Sequence, residues 1–184
     1  MNHTGTVNIK TERLLLRRFA RGDAAAAYEN FGSDPLVGRY ISFIPCATMQ
    51  SAERFIAMHL QKYGSDPDFY GWAIDLNGTV IGSAGLFNID DGADSCELGY
   101  SIGSRWWGKG YATEAATAIV KFAFDQMGAH RVFASHHAGN TASGRVLQKI
   151  GMQFEGTMRD GQRNPDGSYS DLKLYAILAT QRYL

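Results

Sequence analysis

Residues 96–114 combine a strand pattern, a loop with two glycines and a helix pattern, and this order constrains the rest of the fold. Apolar side chains alternate along residues 96–102, which predicts a strand with one buried face. Apolar residues recur every three or four positions over residues 112–127, which predicts a helix. Gly108 and Gly110 stand between the two patterns, where they allow the backbone to turn sharply and to approach another group. We therefore expect a strand–loop–helix unit at the centre of the molecule.

The predicted helix starts without a good N-cap, because Gly110 and Tyr111, rather than Ser, Thr, Asp or Asn, precede Ala112. Its first backbone N–H groups therefore lack a local acceptor, and such helix starts attract anions, phosphates above all. Arg105 and Lys109 add positive charge to the same loop. Together these features predict a pyrophosphate-binding loop. The alternative is a plain connection between a strand and a helix that happens to contain glycines.

The loop also approaches the pattern of a P-loop nucleotide site, because four residues separate Gly103 from Gly108-Lys109. The next residue should be Ser or Thr to hold magnesium, and here it is Gly110. Two tryptophans occupy positions where a tight phosphate loop needs small residues. The sequence therefore disfavours a nucleoside triphosphatase.

Four segments occur in an order that carries a family resemblance. They are the opening run Thr11–Arg17, the loop Arg105-x-x-Gly108-x-Gly110 with its continuation to Glu114, Asn140-x-x-Ser143, and Gly151-Met152. Together they resemble the GCN5-related N-acetyltransferase (GNAT) family, in particular its Rim-type ribosomal-protein N-terminal acetyltransferases. The loop resembles the family's coenzyme A pyrophosphate signature. The resemblance implies an acetyl-CoA-dependent N-acetyltransferase that transfers the acetyl group directly to a bound amine.

The composition is that of one globular domain, with 184 residues of which 45% are hydrophobic and 20% charged. The formal net charge of zero gives no basic excess that would hold nucleic acid. Residues 1–10 lack the apolar core of a signal peptide, and we expect a flexible tail there, followed by the acetyltransferase domain over residues 11–184. No apolar run approaches the ~20 residues of a membrane span, so no membrane partner is expected. The two cysteines, far apart in sequence, favour a reduced, cytoplasmic protein.

Periodicity and turn signals predict a mixed α/β fold, of the α+β kind, around the central unit. Asn77-Gly78 stands between two strand patterns and is a strong hairpin signal. The resemblance implies a single GNAT-like domain with a mixed central sheet and flanking helices. In that sheet two parallel neighbours, strands 96–102 and 131–136, splay apart around the pantetheine arm. The predicted strands are 14–19, 70–76, 80–89, 96–102, 131–136, 152–159 and 169–177, and the helices are 24–31 (capped by Asp23), 51–63, 112–127 and 141–150.

Acyl transfer to an amine needs a group that takes a proton from the amine and a group that holds the oxyanion. Glu97 is the candidate base, acting through water, because its same-face neighbours Gly99 and Ser101 are small and leave room beside the carboxylate. The family also often places a base on this strand. The alternative is a surface glutamate that pairs with a basic side chain. The resemblance assigns the oxyanion to a backbone N–H near Tyr100.

Many family members carry a tyrosine acid seven residues after the motif asparagine, but here that residue is Leu147, which cannot donate a proton. Ser143 is the substitute, either as the acid or only as a coenzyme contact. Asn140 is implied to bind the pantetheine amides, although it could equally cap the next helix. Arg145 and Lys149 either meet the ribose phosphate or are solvated. The predicted coenzyme contacts are Tyr100, Ile102, Arg105, Trp107, Gly108, Lys109, Gly110, Tyr111, Ala112, Thr113, Asn140, Ser143 and Arg145.

The acceptor is either a protein N-terminal α-amine or a small-molecule amine, and we expect its cleft at residues 37–48 and 162–169. The acidic turn 90–94 either steers a cationic acceptor or is solvated. His136 and His137 are neighbours on a strand and face opposite ways, so we expect no metal site. Dimers are common among similar enzymes, which leaves a homodimer open. The alternative function is a non-catalytic acyl-CoA sensor.

Overall fold

The structure, a computed structural model, describes residues 1–40, 46–164 and 166–181. Its strands are β1 (Ile9–Lys10), β2 (Leu15–Arg17), β3 (Tyr70–Leu76), β4 (Thr79–Asp90), β5 (Ser95–Ile102), β6 (Arg131–His137), β7 (Gln153–Arg163) and β8 (Tyr169–Leu178). They form one sheet in the order β1-β2-β3-β4-β5-β6-β8-β7. The β5–β6 pair is parallel, and the other neighbouring strands are antiparallel. This mixed sheet confirms the predicted fold class.

Helices cover both faces of the sheet. They are α1 (Asp23–Ala27), α2 (Pro35–Gly38), α3 (Met49–Ser65), α4 (Tyr111–Phe122) and α5 (Thr141–Lys149), and π-helical turns at Tyr28–Gly32 and Ala123–Met127 extend α1 and α4. Successive residues of β3 reach different cores, because Trp72 and Ile74 pack with α4 whereas Ala73 packs with α1 and α3. Side chains alternate across a strand, so α4 covers one face and α1 with α3 covers the other.

The predicted alternation along β5 is confirmed. Cys96, Leu98 and Ile102 are buried, whereas Glu97 and the two small residues that share its face are half-buried. The buried side of β5 packs against the apolar stripe of α4, which is formed by Ala115, Ala116, Ile119 and Val120. The change from strand to helix periodicity therefore places α4 directly over β5.

The two parallel strands separate after a short paired stretch. β5 and β6 are in register from Ser95–Arg131 to Glu97–Phe133 and are not paired beyond that point. Each strand keeps its outer neighbour, because β5 stays paired with β4 as far as Ile102 and β6 stays paired with β8 as far as His137. The sheet is thus continuous at one end and split at the other, which is the predicted splay.

The prediction of a loose tail over residues 1–10 does not describe the structure. Thr6 is buried, and its hydroxyl donates to the Phe69 carbonyl and accepts from the Gly71 amide, both at 3.0 Å. Trp72 Nε1 donates to the Val7 carbonyl at 2.7 Å, and β1 adds an edge strand beside β2. The segment is held by hydrogen bonds to residues 69–72 and by strand pairing, which leave no apolar pattern in the sequence.

The structure differs from three local predictions, which concern the starts of α1 and α3 and the end of β7. Asp23 does not cap α1 but begins it, and its carboxylate binds the Ala20 amide and the Arg17 guanidinium instead. The helix predicted at 51–63 begins at Met49, because Thr48 and Ser51 form a reciprocal capping box. Strand β7 continues past its predicted end, through an irregularity between residues 158 and 162 that contains a left-handed aspartate.

Because α5 packs closely on β6, we expect the replacement of Gly144 by alanine to destabilise the protein, the opposite of the usual effect in a helix. A Cβ there would lie 2.8 Å from Nε2 of the buried His136. Alanine normally stabilises a helix by about 0.5–1 kcal/mol over glycine. At this site we expect Gly144→Ala to lower the free energy of unfolding instead, by about 1 kcal/mol, because overpacking costs roughly 1–3 kcal/mol. Urea denaturation measures the difference.

Gly64 in α3 is the matched control, because an added Cβ there would meet no atom of the described residues within 4 Å. Gly64→Ala should stabilise the protein by about 0.5 kcal/mol. In a His136→Ala background, Gly144→Ala should also become stabilising. A Gly144→Ala variant as stable as Gly64→Ala would contradict the described packing.

Candidate functional site

A cleft of about 480 Å³ opens at the split between β5 and β6. Its walls come from the end of β5, the starts of α4 and α5, and residues of α2. Of the predicted coenzyme contacts, Arg105 and Lys109 do not line it. Those that do are Tyr100, Ile102, Trp107, Gly108, Gly110, Tyr111, Ala112, Thr113, Asn140, Ser143 and Arg145. The fold thus gathers residues from one strand, one loop and two helices around a single space.

The loop between β5 and α4 has free backbone N–H groups. Gly108 and Gly110 have φ values of 75° and 84°, in the left-handed region that suits glycine. Helix α4 then begins at Tyr111 without a side-chain cap. Within the described part of the chain, the amides of residues 108–113 donate to no protein acceptor, and the next amide, that of Glu114, donates to the Gly110 carbonyl at 3.0 Å. This arrangement has the geometry of an anion site.

Three side chains hold the start of α4 in place. Glu114 accepts hydrogen bonds from Thr11 Oγ1 at 2.6 Å, from the Arg13 amide at 2.8 Å and from Arg13 Nε at 2.7 Å. Arg13 Nη1 also donates to the Lys109 carbonyl at 2.9 Å, and its guanidinium lies 4.6 Å from the centre of the Tyr111 ring. Burial raises the pKa of Glu114, but the hydrogen bonds from Thr11 and Arg13 outweigh it and hold the pKa below its ordinary value. The charged Glu114 is therefore engaged by Arg13 and does not cap the helix.

Sequence reasoning missed this support. Thr11 and Arg13 belong to the opening run, and they are separated from Glu114 by 103 and 101 positions. No periodicity relates positions so far apart. The available signal was the order of the family-like segments, which contains both the opening run and the loop.

The cations at the cleft differ from those expected. Arg105 lies over the Trp106 ring at 4.9 Å, and Lys109 contributes its carbonyl oxygen to Arg13. The cationic side chains in the lining are Arg39, Arg145 and Lys149 instead. Because α5 places Arg145 and Lys149 one turn apart, both reach the same side of the cleft.

Polar groups from β5 and α5 meet inside the cleft. Tyr100 Oη lies 3.0 Å from Ser143 Oγ, and burial raises the pKa of Tyr100 to about 12. Asn140 Oδ1 accepts from the Ser143 amide at 3.2 Å, so this asparagine caps α5, as the alternative interpretation held. Its side-chain nitrogen donates to no acceptor within the described residues. Leu147, in the place of the family's usual tyrosine, is buried in the core.

Glu97 lies outside the cleft lining, at the paired end of β5. Its carboxylate accepts from Asn88 Nδ2 at 2.6 Å and from Ser135 Oγ at 3.1 Å. Neither partner is basic. The alternative interpretation, a surface glutamate that pairs with a basic side chain, is therefore wrong about the kind of partner. The expected space beside Gly99 is also taken, because a Cβ there would lie 2.9 Å from the Phe87 ring. Phe87 itself is 50% exposed, so the sheet is open to solvent locally, beyond the ring.

The two stretches predicted for the acceptor are described only in part. Residues 41–45 and Pro165 lie outside the described residues. Val37 and Tyr40 line the cleft, and the Tyr40 ring lies 5.1 Å from that of His137. Gln162 Nε2 donates to the Tyr40 carbonyl at 3.5 Å, which connects the two stretches.

The two adjacent histidines occupy opposite faces of β6, as predicted. His136 is buried, its Nε2 has no hydrogen-bond partner among the described residues, and burial lowers its pKa. His137 is half-buried, and its Nδ1 accepts from the Gly139 amide at 3.0 Å.

The described residues contain no group of three or more His, Cys, Asp or Glu side chains that could hold a metal ion. None of the described helices is long and apolar enough to cross a membrane.

Comparison with known proteins agrees with this geometry. The family model "Acetyltransferase (GNAT) domain" matches residues 13–153. The uncharacterized N-acetyltransferase p20 of Bacillus licheniformis is 30% identical over 170 residues, which cover 91% of this chain and 94% of that protein. A GNAT-family acetyltransferase from Bacillus anthracis superposes with a TM-score of 0.81 at 31% identity, covering 95% of this chain and 99% of that one.

A further relative matches only part of the chain. The [ribosomal protein uS5]-alanine N-acetyltransferase of Escherichia coli is 36% identical over 99 residues, which cover 53% of this chain and 50% of that enzyme. The family model and the full-length relative together are decisive. The chain belongs to the GNAT acetyltransferase family.

Proposed function

We propose that this acetyltransferase binds acetyl-CoA in the cleft between β5 and β6 and transfers the acetyl group directly to a bound primary amine. The observation that carries the proposal is the joint presence, in one cleft, of the unpaired amides of residues 108–113 and the hydroxyl of Ser143. An anion site and a hydroxyl suit two groups of an acyl coenzyme, its diphosphate and its thioester.

The side chains around the cleft support the same orientation of the coenzyme. The diphosphate would accept hydrogen bonds from the amides of residues 108–113, and the pantetheine arm would pair with the free backbone edge of β5. Asn140 caps α5 with its oxygen and so keeps its side-chain nitrogen for a pantetheine carbonyl. Arg145 and Lys149 have no carboxylate partner within the described residues and are available to the ribose phosphate.

The reaction needs a neutral amine and a stabilised oxyanion. In this proposal Glu97 takes the amine proton through water, since its carboxylate lies outside the cleft lining and a direct contact is not expected. A backbone N–H near Tyr100 polarises the thioester carbonyl. Ser143 contacts the sulfur as it leaves.

An N-terminal α-amine is the first acceptor class to test. An α-amine with a pKa near 7.7–8.0 is roughly a tenth to a sixth neutral at pH 7, whereas a lysine amine costs roughly 4.6 kcal/mol to deprotonate. The partial relative from Escherichia coli acts on an alanine of ribosomal protein uS5. Small-molecule amines remain the second class.

One observation favours a second candidate, a non-catalytic acyl-CoA sensor. Glu97 is held by Asn88 and Ser135 and does not line the cleft, so the cleft could bind the coenzyme without a base beside it. The two functions share the coenzyme site and differ in whether an amine is consumed.

A thiol-release assay with acetyl-CoA separates these functions. The panel contains peptides with free N-terminal Ala, Ser or Met and no lysine, the same peptides with acetylated N-termini as matched controls, and polyamines, aminoglycosides and amino acids. We expect release of one thiol per N-acetylated product with at least one free amine. Binding of acetyl-CoA by calorimetry without release on any amine would favour the sensor, and absence of binding would refute both.

Replacement of the proposed base gives a sharper prediction. Glu97→Gln keeps the shape of the side chain, and we expect kcat to fall about 100-fold at pH 7, the scale of general base catalysis. The loss should shrink as the pH rises above the pKa of the amine, because the acceptor is then already neutral. Glu155→Gln is the control, because that exposed carboxylate lies on the edge strand β7, pairs with Arg131 and does not line the cleft. Full turnover of Glu97→Gln at pH 7 would remove Glu97 as the base.

A further inference from the structure

A tyrosine hydroxyl on β5 reaches the serine that the proposed function places beside the sulfur. Tyr100 Oη lies 3.0 Å from Ser143 Oγ and 3.3 Å from the Ser143 carbonyl oxygen. Both residues line the cleft, one from the strand and the other from the start of α5. Within the described residues, Tyr100 is the sole hydrogen-bond partner of Ser143 Oγ.

The direction of this hydrogen bond decides where the Ser143 proton points. If Ser143 donates to Tyr100, its single proton is used inside the wall of the cleft. If Tyr100 donates to Ser143, the oxygen is satisfied as an acceptor and its own proton can turn to a group in the cleft. The phenol is the more acidic of the two hydroxyls and therefore the better donor, which favours the second direction. The Ser143 carbonyl oxygen, which could accept the same proton, lies farther away, at 3.3 Å against 3.0 Å.

We propose that Tyr100 is a positioning residue whose hydroxyl donates to Ser143 Oγ and turns the Ser143 proton toward the departing thiolate sulfur. This inference rests on the proposed function, which places the thioester beside Ser143. Tyr100 would then act through Ser143 and need not touch the substrate with its hydroxyl.

The step balances without a net proton from either residue. When the tetrahedral adduct collapses, the oxyanion re-forms the carbonyl, the carbon–sulfur bond breaks and the electron pair leaves with sulfur. The Ser143 hydroxyl donates a hydrogen bond to that thiolate, and the Tyr100 hydroxyl donates to Ser143. The thiolate takes its proton from water in the open cleft afterwards, since a thiol pKa is near 8.5.

The position of Tyr100 compensates for the lack of a tyrosine on α5. Leu147 occupies the position where the resemblance leads one to expect the acid, and it is buried in the core. Tyr100 brings a phenol to the same helix from the facing strand. The cleft therefore keeps a phenol near the sulfur although the helix does not supply it.

The test is a double-mutant cycle of Tyr100→Phe and Ser143→Ala, read as the single-turnover rate of thiol release with a saturating amine substrate. Tyr100→Phe retains the ring, and we expect the rate to fall about tenfold, the scale of a hydrogen bond to a charged group. The Kd of acetyl-CoA should stay within about twofold. In the Ser143→Ala background, Tyr100→Phe should have no further effect, because its action passes through Ser143.

Tyr175→Phe is the matched control, because that tyrosine stacks on His136 and its hydroxyl bonds to no described residue. Its rate should equal that of the wild type. An unchanged rate in Tyr100→Phe, or an equal loss in both backgrounds, would overturn the inference. If Tyr100→Phe did not fold, Ser143→Ala alone would have to lower the rate about tenfold at unchanged Kd, and failure to do so would overturn it. Absence of thiol release in the wild type would instead refute the proposed function.

Discussion

The early separation of β5 and β6 is the constraint on which the rest of the site depends. The two strands share register only from Ser95–Arg131 to Glu97–Phe133, and each then follows its outer antiparallel neighbour. Beyond the split, each strand has a backbone edge that the other does not satisfy. Buried backbone groups are rarely left unpaired. The wedge-shaped space between these two edges therefore suits a ligand whose own amide groups can form hydrogen bonds with them. The cleft that we propose for the coenzyme follows from this division of the sheet.

The start of α4 complements the split because its amides are kept free. A glutamate in the first turn is normally a helix-capping or dipole-compensating group. Here Glu114 is bound by Thr11 and Arg13, and the same Arg13 holds the loop through the Lys109 carbonyl. The opening segment of the chain therefore supports the proposed phosphate site from outside the cleft. The two features are adjacent because β5 forms one side of the split, and the end of β5 leads into the loop that carries the unpaired amides.

Much of this architecture follows from local sequence. The alternation in β5, the hairpin at Asn77-Gly78, whose residues adopt φ values of 53° and 85°, and the glycine loop were all predictable, because each depends on neighbouring residues. The misses depend on distant ones. Sequence periodicity carries no information on the reach of Arg13 to Glu114, the Phe87 ring over Gly99, or the Tyr100 hydroxyl at Ser143. The packing of residues 1–10 was missed for the same reason, since hydrogen bonds to residues 69–72 hold them.

The central claim is that free amides at the start of α4 bind a diphosphate and thereby direct a thioester into the split between β5 and β6. A crystal structure of the protein with acetyl-CoA tests it most directly. The account predicts diphosphate oxygens about 2.9 Å from amide nitrogens among residues 108–113, with the thioester between the two strands. A diphosphate bound elsewhere, or those nitrogens bonded within the protein, would contradict it.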